Sequence, residues 1–148
     1  MIHPARDTAA KAAGAGGTVR TQAITTSDDV VRARQLARTL AVECRLSLVE
    51  QTKLVTAASE LARNTLVYGG GGQMNGEVVH RPGGRGVRLR FADDGPGIPD
   101  TELALRDGWS SGTGMGLGLS GARRLVDDFD LRTAAGEGTT VTVIKWTH

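Results

Sequence analysis

A chain of 148 residues is long enough to bury its own core, and a formal net charge of +2 is too small to mark it as a nucleic-acid binder. Its arginines are scattered and not interleaved with aromatics, which argues against a platform for stacked bases. The single cysteine, Cys44, allows no internal disulfide, and no Cys/His cluster suggests zinc, so a reducing, cytoplasmic setting is expected.

Residues 1–16 are rich in Ala and Gly and read as a flexible tail, leaving 17–148 as a single domain. The N-terminus lacks the apolar stretch of a signal peptide, and no segment is long enough to span a bilayer, so no membrane partner is expected. "TVRTQAI" reads as a first strand. Ser27 reads as an N-cap ahead of Asp28 and Asp29, with Val30, Ala33, Leu36, Ala37, Leu40 and Ala41 at helical spacing. Ser47 and Glu50 form a capping-box pattern opening a second helix to about Val67. Leu54, Ala58, Leu61 and Thr65 make its apolar stripe, and Glu50, Ala57, Glu60 and Asn64 lie on a neighbouring face.

"YGGGG" ends that helix, and "GEVVH" and "GVRLRFAD" read as a hairpin joined by "RPGGRG". Val87, Leu89 and Phe91 alternate with Arg88, Arg90 and Ala92, a half-buried strand. A short helix is expected at 100–106 and another from about Leu117 to Asp127. "FDLRTA" and "TTVTVIKW" close the chain as a second hairpin around "AGEG". The fold expected is α+β: a two-layer sandwich with helices on one face of a mixed, mostly antiparallel sheet.

The run "SSGTGMGLGLSGARR" exposes many bare backbone amides just before a helix, the look of a phosphate site. Gly116, Gly118 and Gly121 match G-x-G-x-x-G, but "LRDGWSSG" before them is no apolar strand, so a dinucleotide unit is not supported. No lysine follows the glycines, which excludes a P-loop. Three segments in order, "ELARN", "DDGPG" and "GTGMGLGL", followed by "GEGTT", resemble the boxes of the GHKL ATP-binding superfamily, which includes gyrase, Hsp90, histidine kinases and MutL. The resemblance covers nearly the whole chain after the tail. Within it, "GMGLGLSGARRLVDDFDL" and "GTTVTVIKW" look most like the RsbT-type switch kinases, a bacterial branch of anti-sigma regulatory serine/threonine kinases.

The resemblance implies roles for particular residues. Asn64 would ligate Mg²⁺ bridging the phosphates of ATP, and Glu60, one turn away, would be the catalytic base or orient the acceptor. Without the other boxes, the same pair would read as a solvated helix face. Asp93 would accept a hydrogen bond from the adenine amine, although Asp-Gly-Pro-Gly is also ordinary turn chemistry. Gly95, Gly97 and Ile98 would complete the adenine side. Gly112, Thr113, Gly114, Met115, Gly116, Leu117 and Gly118 would meet the phosphates through their backbone, and Thr139 would reach adenine through water. Residues 98–113 take the place of the family's ATP lid, with Trp109 either packed there or meeting a partner. Arg63 reads as a surface arginine, and His3, His80 and His148 as solvent residues.

At this length there is no room for the transducer domain of gyrase-like relatives or for the phosphoacceptor helices of histidine kinases. The resemblance therefore implies phosphorylation of a serine on a STAS-domain antagonist, followed by activation of a PP2C-type phosphatase through its N-terminal regulatory domain. Two alternatives stay open: a kinase of the same family that binds a sigma factor, and a module that uses the nucleotide only as a latch while it sequesters its partner.

Overall fold

The computed structural model describes residues 18–98, 105 and 118–148. The tail at 1–16, Trp109 and the glycine-loop residues Gly112, Thr113, Gly114, Met115, Gly116 and Leu117 lie outside the described residues; of the helix expected at 100–106, only Leu105 is among them.

Strand β1 (Arg20–Ile24) leads into helix α1 (Ser27–Glu43). The N-cap of α1 is Thr26, one residue earlier than the sequence reading placed it. Its hydroxyl accepts from the Asp29 N–H at 3.2 Å, while the Asp29 carboxylate accepts from the Thr26 N–H. The capping box therefore runs Thr26 to Asp29 and makes Ser27 the first helical residue. Helix α2 (Leu48–Val67) starts as expected at Ser47, whose hydroxyl and backbone exchange hydrogen bonds with Glu50.

Strands β2 (Gly72–Arg81) and β3 (Gly84–Asp93) form a long hairpin around Pro82 and Gly83. Gly83 takes φ +77°, which its lack of a Cβ allows. Strand β2 begins four residues before the expected "GEVVH". Helix α3 (Leu119–Leu125) is shorter than expected at both ends, because the Asp127 N–H already donates to the Ile144 carbonyl and joins the sheet. Strands β4 (Asp128–Thr133) and β5 (Thr139–Trp146) pair as the closing hairpin.

The sheet order is β1-β2-β3-β5-β4, and every neighbouring pair is antiparallel, so the sheet is not mixed. The register puts Met74, Leu89, Phe91 and Val143 on the face covered by Ala33, Leu40, Leu54 and Leu61 of the helices, where they form one buried core. The opposite face carries a small cluster of Val79, Ile144 and Trp146, with the Arg81 guanidinium 4.2 Å above the indole. Glu77 and Arg88 stand opposite each other there and pair. Two α-layer helices on one face of an antiparallel sheet thus leave the C-terminal end of α2, the end of β3 and the start of β5 side by side.

Candidate functional site

These ends enclose a small crevice lined by Leu61, Asn64, Thr65, Tyr68, Phe91, Asp93, Ile98, Leu119, Thr139 and Val141. Asn64, Asp93, Ile98 and Thr139, singled out from three separate sequence segments, meet there. The crevice holds a volume of about 20 Å³, room for one water.

Asp93 ends β3 at the point where the chain leaves the sheet. Backbone crowds it on three sides. A Cβ on Gly69 would stand 2.3 Å from the Asp93 Cγ, one on Gly138 2.2 Å from its carbonyl oxygen, and one on Gly95 2.7 Å from Gly69. No side chain fits at those positions, so the glycines fix where the carboxylate points. The Gly95 N–H donates to its Oδ1 at 2.9 Å. Burial pushes the Asp93 carboxyl above the ordinary carboxylate value, with nearby Asp94 adding to the rise and the N–H groups of Gly95 and Thr139 opposing it.

Thr133 ties the crevice to the final hairpin. Its Oγ1 accepts from the Ile98 N–H at 2.8 Å and donates to the Gly138 carbonyl at 3.0 Å. With its one proton used, it accepts from the Thr139 hydroxyl, also at 3.0 Å. The Tyr68 hydroxyl donates to the Gly97 carbonyl at 3.1 Å. Gly97 takes φ +74° where a Cβ would meet the Ala134 carbonyl at 2.0 Å. Thr133, Tyr68 and Gly69 escaped the sequence reading; the first glycine of "YGGGG" reads there as part of a helix stop, and nothing in a strand threonine announces three polar partners.

Glu60 and Asn64 sit one turn apart on α2 but serve different spaces. Asn64 lines the crevice, and its carbonyl receives the Tyr68 and Gly69 N–H groups that end the helix. Glu60 stands at the rim, its Oε2 against Gly118, where a Cβ would come within 2.6 Å. Gly118 caps α3 with φ +65°, so the last glycine of the second box is required both by the backbone and by the carboxylate beside it. Arg63 pairs with Glu60 at 3.4 Å while remaining half exposed. His80 and His148 are both exposed, as expected, and His148 also bonds the Asp127 carboxylate at 3.1 Å. Burial pushes Asp127 up, but the Trp146 N–H, His148 and Lys145 outweigh it and hold the group below its ordinary value.

The arrangement offers an aspartate and an amide in one crevice, with a carboxylate outside it, beside Gly118. Residues 49–147 match the family described as histidine kinase-, DNA gyrase B- and HSP90-like ATPases. The chain is also 46% identical over 123 residues to the serine/threonine-protein kinase RsbT of Bacillus subtilis (strain 168), covering 83% of this chain and 92% of that protein. The chain therefore belongs to this ATPase family, whose members use ATP. Within the family it is a serine/threonine-protein kinase of the RsbT type. No helix among the described residues is long and apolar enough to cross a membrane.

Proposed function

We propose that the chain transfers the γ-phosphate of ATP to a serine of a STAS-domain antagonist in the cytoplasm, and is then free to bind and activate a PP2C-type phosphatase. The observation that carries this reading is the position of Glu60 beside Gly118, one helical turn from Asn64 and outside the crevice that Asp93 closes.

In this reading adenine lies against Asp93, whose carboxylate accepts from the exocyclic amine; guanine has no amine at that position. The backbone around Gly112 to Gly118 meets the phosphates. Among the described residues no cluster of three or more His, Cys, Asp or Glu could hold a metal by itself. A single amide oxygen at Asn64 suits Mg²⁺, which keeps several waters and takes phosphate oxygens as its other ligands. When bound there, Mg²⁺ would neutralise charge on the phosphates.

The acceptor serine approaches from the Glu60 side. Its Oγ–P bond forms as the bond from Pγ to the bridging oxygen breaks, ADP leaves, and the hydroxyl proton passes to Glu60. The new phosphate places about two negative charges on the antagonist surface and weakens its hold on the kinase. A module that only latches on nucleotide would have no use for a carboxylate at the mouth.

Incubation with γ-labelled ATP and a candidate STAS protein tests this. Label on serine, lost in Glu60→Gln, is the expected result. A tight complex without transfer would point instead to the module that uses the nucleotide as a latch, and a complex with a sigma factor to the sigma-binding kinase.

A further inference from the structure

Among the described residues that line the crevice, Thr65, Tyr68 and Thr139 carry hydroxyls. Each has one proton to give and lone pairs to offer. The Thr65 hydroxyl donates to the Leu61 carbonyl at 3.0 Å, the bond one turn back that is open to a helical threonine. The Tyr68 hydroxyl donates to the Gly97 carbonyl at 3.1 Å. In both, the proton goes to the main chain.

The Thr139 proton is placed by a neighbouring side chain. Asp93, Thr139 and Thr133 stand in one row across β3, β5 and β4. The Thr133 oxygen accepts from the Ile98 N–H at 2.8 Å, and its own proton goes to the Gly138 carbonyl at 3.0 Å. Its 3.0 Å contact with the Thr139 oxygen therefore has one possible donor, Thr139. Both threonines are buried, which shields this chain of bonds from water. All three hydroxyl protons thus go to protein acceptors, and lone pairs are what the hydroxyls have left for a ligand. The Asp93 carboxylate in the same crevice is an acceptor as well. Asn64, the remaining polar side chain of the lining, is the amide read above as the magnesium ligand.

We propose that this arrangement of hydroxyl protons selects the base: the crevice takes an N–H donor and repels a carbonyl, and Thr133 is the positioning residue that turns Thr139 to accept. This selection deepens the adenine reading and rests on it. An aminopurine brings its exocyclic amine to these lone pairs. An oxopurine sets a carbonyl oxygen against them, and no hydroxyl proton is free to meet it. Leaving a buried acceptor unpaired costs more than losing one contact. Thr133 touches no base in this scheme; it acts through the proton that it takes from Thr139.

The test compares ATP with inosine triphosphate, whose base carries a carbonyl where adenine carries the amine, by calorimetric titration in the presence of Mg²⁺. Wild type should bind ATP at least about 100-fold more tightly. Thr133→Val removes the acceptor and frees the Thr139 proton to meet the carbonyl. Thr139→Val removes the lone pairs outright. Each should raise the affinity for inosine triphosphate at least about threefold, a gain that damage to the fold does not produce. Thr133→Ser keeps the hydroxyl and should bind both nucleotides as wild type does. Equal binding of the two nucleotides by wild type overturns the proposal. So does a folded valine variant whose affinity for inosine triphosphate fails to rise, or a serine variant that gains as the valine one does. Should Thr133→Val not fold, Thr139→Val decides. Unchanged ATP affinity in Asp93→Asn would instead defeat the adenine reading, so the two failures are separable.

Discussion

The two sides of Glu60 are built by different means. Toward Asp93 the crevice is tight and shaped by backbone: Gly69, Gly95 and Gly138 pack closely around a half-buried aspartate, and Thr133 stitches three segments together. Toward Arg34 and Arg38 a groove along α1 and α2 is wider, about 430 Å³, and lined by side chains of the two helices. A site for one invariant ligand is best fixed by main chain, which leaves few ways to change it. Substitutions of the crevice glycines should then disturb folding and nucleotide together, whereas those of the exposed groove side chains should leave both intact.

The carboxylate between the two regions gives the largest contrast. Glu60→Gln should lower phosphoryl transfer by about 10²–10⁴-fold with nucleotide affinity nearly intact, measured by single-turnover transfer beside nucleotide titration. Equal loss of both would mean that Glu60 belongs to the nucleotide side. Gly138→Ala comes next. It forces a side chain into φ +79° and against the Asp93 carbonyl, so chemical denaturation should show a loss on the order of 2–4 kcal/mol. A neutral effect there would mean that the backbone around Asp93 is free to shift.

Asp93→Asn should weaken ATP binding by about 1.5–3 kcal/mol, since the charge-assisted bond to the adenine amine becomes a neutral one. Its effect on the fold has the opposite sign. The Asp93 pKa is raised in the folded state, mainly by burial, so the folded chain holds the proton to higher pH than the unfolded one. Stability from this group is complete below the ordinary value of 3.8 and is lost as pH rises through the folded value. The asparagine variant, unable to ionise, should therefore melt no lower than wild type at pH 7 when nucleotide is absent. A variant that lost both affinity and unliganded stability would indicate a structural role. The smallest effect belongs to a helix end remote from both regions: Ser47→Ala removes half of a capping box and should cost about 1 kcal/mol with transfer unchanged.

Much of this was readable where local chemistry decides. The Ser47–Glu50 box, the stripe of Leu54, Ala58, Leu61 and Thr65, and the alternation of Val87, Leu89 and Phe91 all follow from spacing alone, and all appear as read. Where two residues could play one local part, the reading slipped by one, as at Thr26 and Ser27. Glycines misled it most. Gly72 looked like part of a helix stop, yet it is the first residue of β2. A Cβ there would stand 1.9 Å from the Ala92 carbonyl, a contact between distant segments that periodicity does not show. Thr133 was missed for the same reason: its three partners, Ile98, Gly138 and Thr139, come together only once the sheet has formed. Asp93 and Asn64 were found through the order of their boxes; the geometry that separates Glu60 onto its own side of the rim was not.

The central claim is that Asp93 and Glu60 mark the two ends of one ATP molecule. A crystal structure of the chain with Mg²⁺ and a non-hydrolysable ATP analogue tests it most directly. The account predicts the adenine amine on the Asp93 carboxylate, with the terminal phosphate at the mouth beside Glu60 and Gly118. A nucleotide bound in the opposite direction, or away from the crevice, would contradict it.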